Sequence, residues 1–547
     1  MGKKKKITKS EVTKKKISFV SAIFLVIGSS IGAGIFLKNG EVLGNVGGSA
    51  WLALISWIVS IFGVICMGVS LAEIASADSE SNLGIISWVK NFCHGYLFKV
   101  SKYFMAFIYL PLNFFLMPYY VVIQFQDAFG WQTQWWISAL IAFGITAWFF
   151  IASGLSSKLA NGQNWVITCV KFIPLAFCIV CGITLAICGK VDTSKWHEWG
   201  TWTQIDNHAR LAKMFPLMGI IGSIPAIIFS YDGFYSAAGI QSEMEEPKKT
   251  PAALVVGLII VSAINLLISV SLLLGATDGR VNALAWFNDH GYHWVIGVVQ
   301  ILIGFGVLGI INGFAVYNPL YYQDLIKMGE LPFSDKLQHK LVTQKRNWVG
   351  LIYAGIITLV FFIAFTLIGA LAYSDVIGYG STTMTMMSGT ATAHTGYDII
   401  SSSGRTNTLY SFVDLMANWT SIIAFLCVVF ATVGAMKNRK TNKVKVRKVR
   451  GFWFCSIAST IVISVAIIFI VVAAFYDLGI IATKWHADIG VKEYTQEQWN
   501  TDMLGAIMTV VVLFAFIAMC VIPSSIESRK EKKFNKPIGK IRLALSK

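Results

Sequence analysis

Three glycines and two serines stand together in GSSIGAGIF, residues 28–36, inside an apolar run that reaches from about 17 to 37. Unwound backbone at membrane depth is tolerated only where it lines a cavity or is buried in protein. A helix broken there frees N–H groups at the start of the following half-helix, where the dipole is positive, and these can hold a carboxylate without any arginine. The carbonyls released from the preceding half-helix can accept an ammonium. One break therefore offers an anion site beside a cation-friendly one, which is the polarity of an amino-acid zwitterion. Glycine suits such a break because backbone must approach the ligand closely.

FSYDGF, residues 229–234, interrupts a second apolar run at about 214–242, with Gly222, Pro225 and Gly239 around it. Two ionisable residues lie at membrane depth, Asp232 in this break and Lys171 in TCVKFIPLAF. A charged lysine there costs on the order of 2.5–3.5 kcal/mol, so it needs a partner or must titrate. Snorkelling is the plain alternative. With the span starting near Gln163, however, Lys171 lies about 12 Å deep at 1.5 Å per residue, farther than its side chain covers. Asp232 has two readings, a counter-charge for a substrate ammonium or cationic side chain, and a cap on the freed amides of its own helix. The remaining acids of the spans, Glu73, Asp127, Glu243, Asp324 and Asp414, fall at expected span ends and are read as solvated or topogenic.

Other chemistry has no visible machinery. HExxH, GxSxG and Walker-type phosphate loops are missing from the sequence, and the eight histidines lie mostly in loops. Cys178 and Cys181 form a CxxC inside an apolar helix, where packing is the simpler role. No cofactor, no metal site and no enzymatic activity are expected.

The elements that must position these residues are membrane helices. The 547-residue chain is 55% hydrophobic and 13% charged, with a mean hydropathy of +0.65, against about 25% charged in a soluble protein. Runs long enough to cross about 30 Å of hydrocarbon fall at 17–37, 50–76, 97–126, 134–153, 163–188, 214–242, 252–276, 294–321, 348–373, 411–435, 451–476 and 503–523. The great majority of the 45 lysines and arginines then lie on the side of the N-terminus, which predicts both termini in the cytoplasm. This accounts for the net charge of +17 without nucleic acid, and the basic tails are expected to touch anionic lipid. The longer connections, 189–213 and 374–410, lie on the other side.

Spans 1 and 6 hold corresponding positions if spans 1–5 and 6–10 form an inverted repeat, and interruptions in matched positions point to a transporter site. Here the residues carry a family likeness. GSSIGAGIF resembles the first-helix signature of the amino acid–polyamine–organocation (APC) transporters. FSYDGF with EMEEPKKTP at 243–251 resembles the sixth-helix signature, and YYQDLIKMGELP at 321–332 the end of the eighth helix. SESNLGIISWVK at 79–90 departs from the family pattern after span 2.

The resemblance implies an all-α, twelve-helix membrane protein with a 5+5 inverted repeat of leucine-transporter type, broken helices 1 and 6, and two extra C-terminal helices. Its divisions would be a basic tail at 1–16, a transport core at 17–435, helices 11 and 12 at 436–525 and a basic tail at 526–547. By position, the carboxylate-binding amides fall on Gly32, Ala33 and Gly34. The ammonium-binding carbonyls fall on Ser30, Ile31, Phe229, Ser230 and Asp232, with Tyr231 and Phe234 as pocket or gate aromatics. KFIPL resembles the span 5 motif of proton-coupled members, which puts the Lys171 ammonium where sodium-coupled relatives hold sodium. The implied function is import of amino acids by proton symport through alternating access, with span 10 as the outer gate. Alternatives are an exchanger, a cationic amino acid or polyamine carrier, and a transporter-derived amino-acid receptor. The basic tails and sparse cysteines are compatible with a bacterial plasma membrane.

Overall fold

Two of the twelve expected spans are too short to cross a bilayer as single helices. In the computed structural model, α1 (Phe19–Ser30) has 12 residues and α9 (Pro216–Phe229) has 14. At 1.5 Å per residue these are about 18 and 21 Å long, short of the roughly 30 Å hydrocarbon layer. Ten other helices among the described residues are long and apolar enough to span. The short ones are those whose sequence carries GSSIGAGIF and FSYDGF. The structure describes residues 18–31, 34–77, 83–131, 133–190, 211–234, 245–246, 249–274, 286–287, 290–343, 348–373, 400–487, 489 and 495–544. The segments 191–210, within the 189–213 connection, and 374–399 lie outside them.

The chain is all-α, with no strand among the described residues. Span 1 is α1 followed by α2 (Gly34–Asn45), and span 2 is α3 (Ala50–Ile74). A short α4 (Ile85–Phe92) leads into span 3, built from α5 (Gly95–Phe104), a π-helical turn at Met105–Tyr109 and α6 (Leu110–Phe129). Spans 4 and 5 are α7 (Trp135–Leu155) and α8 (Ser157–Ile187), and α9 opens span 6. Then come α10 (Thr250–Leu273), α11 (His293–Lys327), the short α12 (Ser334–Thr343), α13 (Trp348–Leu367), α14 (Ile400–Thr441), α15 (Phe452–Ile480), α16 (Gln496–Phe534) and a terminal α17 (Ile538–Ala544). Span 6 follows span 1 by five crossings, an odd number, so the two interrupted spans run in opposite senses, as an inverted repeat requires.

Lipid tails are as apolar as leucine, so close packing and internal polar bonds hold such helices together. Gly257 of α10 lies against α1, where a Cβ would stand 2.6 Å from Val26. Gly304 and Gly297 of α11 admit Phe125 and the Ala128 carbonyl of α6, each 3.0 Å from a would-be Cβ. Spans 3 and 8 thus pack along their length.

Two charges expected in solvent are buried. Asp414 is 5% exposed and Glu73 1%. The reason is helix length. α14 runs from Ile400 to Thr441, so Asp414 sits more than three turns inside it, and Arg439 lies beyond the expected end of the span, near Glu73. Arg439 donates to Glu73 from Nε (2.7 Å) and Nη2 (2.5 Å), and the Val449 N–H adds a third bond at 2.8 Å. Asp324 is partly exposed and pairs with Lys327 at 3.1 Å. Glu243 lies outside the described residues.

Candidate functional site

The backbone leaves helical geometry where the glycine-rich stretch predicts. Ile31 caps α1 with extended angles (φ −81°, ψ 113°), and its N–H closes on the Ile27 carbonyl at 2.9 Å. α2 restarts at Gly34. Gly32 and Ala33, two of the expected carboxylate amides, lie outside the described residues. In span 6, α9 ends at Phe229 and the chain turns through Ser230 to Gly233, whose φ of +95° favours glycine. Residues 235–244 lie outside the described residues.

Lys171 reaches the first break. Its Nζ donates to the Gly28 carbonyl at 2.5 Å and the Ile31 carbonyl at 3.3 Å. α8 begins at Ser157, six residues earlier than expected, which places Lys171 deeper still. The side chain is 6% exposed and does not snorkel. Gly306 of α11 makes room for it, since a Cβ there would lie 3.3 Å from Lys171 Cβ. The ammonium thus occupies carbonyls at the C-terminal end of α1, where the helix dipole favours a cation. The Ile31 carbonyl, expected to face substrate, is engaged by Lys171.

Asp232 is held by three donors: the Tyr109 hydroxyl on Oδ1 (2.9 Å), the Gly233 N–H on Oδ1 (2.9 Å) and the Ser421 hydroxyl on Oδ2 (3.1 Å). The Gly233 bond is a local one to the next residue of the turn, and Tyr109 is aimed by the π-helical turn that ends on it. The Asp232 N–H returns to the Phe229 carbonyl at 3.1 Å, so that carbonyl is also engaged.

Between the breaks lies a small cavity lined by Ser30, Gly34, Asn113, Met117, Tyr120, Phe229, Ser230, Asp232, Ile310 and Phe314. The hydroxyls of Ser30 and Ser230 are buried there without a hydrogen-bond partner among the described residues. A buried polar atom left unpaired costs about 1–3 kcal/mol, so these two oxygens are suited to meeting a polar ligand. The halves of the site touch closely: a Cβ on Gly34 would lie 3.1 Å from Ser230 Cα and 3.3 Å from Phe229 Cδ1. Tyr231 is not among the cavity's lining residues. It is fully buried, and its hydroxyl lies near Ser262 and Asn265 of α10. Phe234 packs on Phe425, ring centroids 6.0 Å apart.

One wall of the cavity, at Tyr120 and Phe229, is backed by a buried cluster of charges. Lys38 Nζ, fully buried, donates to Asp414 Oδ1 at 2.6 Å and Glu41 Oε2 at 3.0 Å. The Tyr120 hydroxyl donates to Asp414 Oδ1 at 2.8 Å, and Asn418 Nδ2 to Glu41 Oε1 at 2.8 Å. Phe229 lies beneath, its ring 5.4 Å from the Lys38 ammonium and 5.8 Å from the Tyr120 ring. This latch joins α2, α6 and α14 over the site. One signal was available in DLMANWTS: Asp414, Asn418 and Ser421 follow i, i+4, i+7 and share one helix face.

The family model described as amino acid permease matches residues 17–487. An uncharacterised protein of Mycoplasma pneumoniae is 37% identical, over 95% of both chains. The serine/threonine exchanger SteT of Bacillus subtilis is 25% identical, over 63% of this chain and 75% of its own. An arginine/ornithine antiporter of Latilactobacillus sakei is 23% identical, over 47% of this chain and 52% of its own.

Proposed function

The chain belongs to the amino acid permease family, and from that premise we propose that it imports neutral amino acids across a plasma membrane by proton symport, with both termini cytoplasmic. The observation that carries this reading is the Lys171 ammonium on the Gly28 and Ile31 carbonyls. A fixed organic cation stands at the end of α1, and it carries a proton that can exchange there. The substrate carboxylate docks on the amides of Gly32, Ala33 and Gly34, the last of which opens α2. Its ammonium meets carbonyls and hydroxyls at Ser30 and Ser230. Asp232 already accepts three hydrogen bonds, which favours a neutral substrate side chain over a cationic one. The Lys38–Asp414 latch closes the outer side, and spans 1, 2, 6 and 7 rock against the rest.

Uptake of radiolabelled amino acids into proteoliposomes tests this. Accumulation follows an imposed pH gradient, acid outside, in sodium-free buffer. Accumulation driven by a sodium gradient with no pH gradient would refute it. An exchanger is the second reading, favoured by the relatives named as exchanger and antiporter. It requires uptake only into vesicles preloaded with amino acid.

A further inference from the structure

The latch does not balance its own charge. Lys38 contributes one positive charge, while Glu41 and Asp414 contribute two negative ones if both are ionised. All three are buried, between 0% and 6% exposed. Among the described residues, the other groups that bond or stack on them are neutral: the Tyr120 phenol on α6, the Asn418 amide on α14 and the Phe229 ring on α9. Both carboxylates hang on one ammonium, so their oxygens stand within about two hydrogen-bond lengths of each other. Like charges that close, away from water, disfavour double ionisation.

The hydrogen bonds show where the deficit lies. Glu41 Oε1 and Oε2 and Asp414 Oδ1 each have a donor. Among the described residues Asp414 Oδ2 has none, nor does Asn418 Oδ1, and both atoms are buried. The two residues stand four apart on α14, side by side on one helix face. A hydrogen added on Asp414 Oδ2 would cancel the surplus charge, and the unused Asn418 oxygen is an acceptor on the same helix face.

We propose that the closed latch binds one proton, held by the Glu41–Asp414 carboxylate pair and shared toward Asn418. A metal cation would meet the charge but not the geometry, since a hard cation such as calcium collects six to eight oxygens and the latch has two unused ones. The site is separate from Lys171 and does not depend on the role proposed for it. Closure of the latch would draw a proton from the face opposite the termini, and opening would return it.

Infrared spectroscopy of the full-length protein in lipid nanodiscs at pH 7 reads the proton directly, because a protonated carboxyl has a C=O stretching band that a carboxylate lacks. The expected result is such a band, equivalent to one carboxyl per chain, shifting in heavy water and present with or without sodium chloride. It disappears in both Glu41→Gln and Asp414→Asn, because a single remaining carboxylate balances Lys38. No band attributable to the pair in the wild-type minus variant difference overturns the proposal, and so does a band that survives both substitutions. A band seen only without sodium also overturns it, assigning the site to a metal cation. If either variant fails gel filtration the other carries the comparison. Should both fail, Lys38→Met, which removes the balancing charge, must strengthen the band, and no gain overturns the proposal.

Discussion

The ammonium of Lys171 stands 2.5 Å from the carbonyl of Gly28, 143 residues earlier in the chain, and joins the middle of span 5 to the end of the first half of span 1. Removing it leaves two buried carbonyls without their charged donor, and hydrogen bonds to charged groups are worth about 1.5–3 kcal/mol each. Lys171→Ala is therefore expected to lower pH-driven uptake by at least about tenfold, the equivalent of 1.4 kcal/mol. Proteoliposome flux measures this, and a variant that keeps full pH-driven accumulation contradicts the coupling role.

Gly34→Ala tests whether the two breaks form one site. The new methyl would stand 3.1 Å from Ser230 Cα, and backbone there cannot swing aside as a long side chain would. Overpacking of this kind costs about 1–3 kcal/mol. The expected outcome is a loss of amino-acid affinity of roughly tenfold or more, read as the substrate-induced shift in Tm across a concentration series. Unchanged affinity would separate the breaks functionally.

Asp232 accepts hydrogen bonds from Tyr109, Gly233 and Ser421, which suits a carboxylate that holds the span 6 turn in shape. In Asp232→Asn, neutral and cationic amino acids should lose their ability to compete for uptake to a similar extent, because the damage is to the shape of the span 6 turn. A selective loss of lysine, arginine and ornithine would restore the counter-charge reading.

Glu73 offers a structural control far from the cavity. Breaking a buried ion pair by deleting one partner costs about 3–5 kcal/mol, and Glu73 accepts from Arg439 twice and from the Val449 N–H. Glu73→Ala should lower the Tm in detergent markedly while the affinity of the surviving folded protein stays close to wild type. A variant as stable as wild type would show the pair to be idle.

Much of this was legible from residue types. The glycine and serine density of GSSIGAGIF and the charge in FSYDGF located both breaks, since few other sequences make sense of exposed peptide groups at membrane depth. Lys171 stood out because a lone lysine in hydrocarbon demands a partner. The latch was hidden for a different reason. Lys38 and Asp414 are 376 residues apart, and each taken alone resembles a topogenic charge at a span end. Only the extra turns of α2 and α14, set by packing and not by hydropathy, bring them inside. Tyr231 misled for a related reason: helical register decides whether an aromatic in a break faces the cavity or α10, and a broken helix has no register to extrapolate.

The central claim is that bare peptide dipoles at two helix breaks grip both charged ends of a free amino acid. Competition for radiolabelled amino-acid uptake by N-acetylated and methyl-esterified versions of the best substrate tests it most directly, since each cap removes one charge and leaves the side chain intact. The account predicts that neither capped form competes at concentrations where the free amino acid abolishes uptake. Equal competition by either form would contradict it.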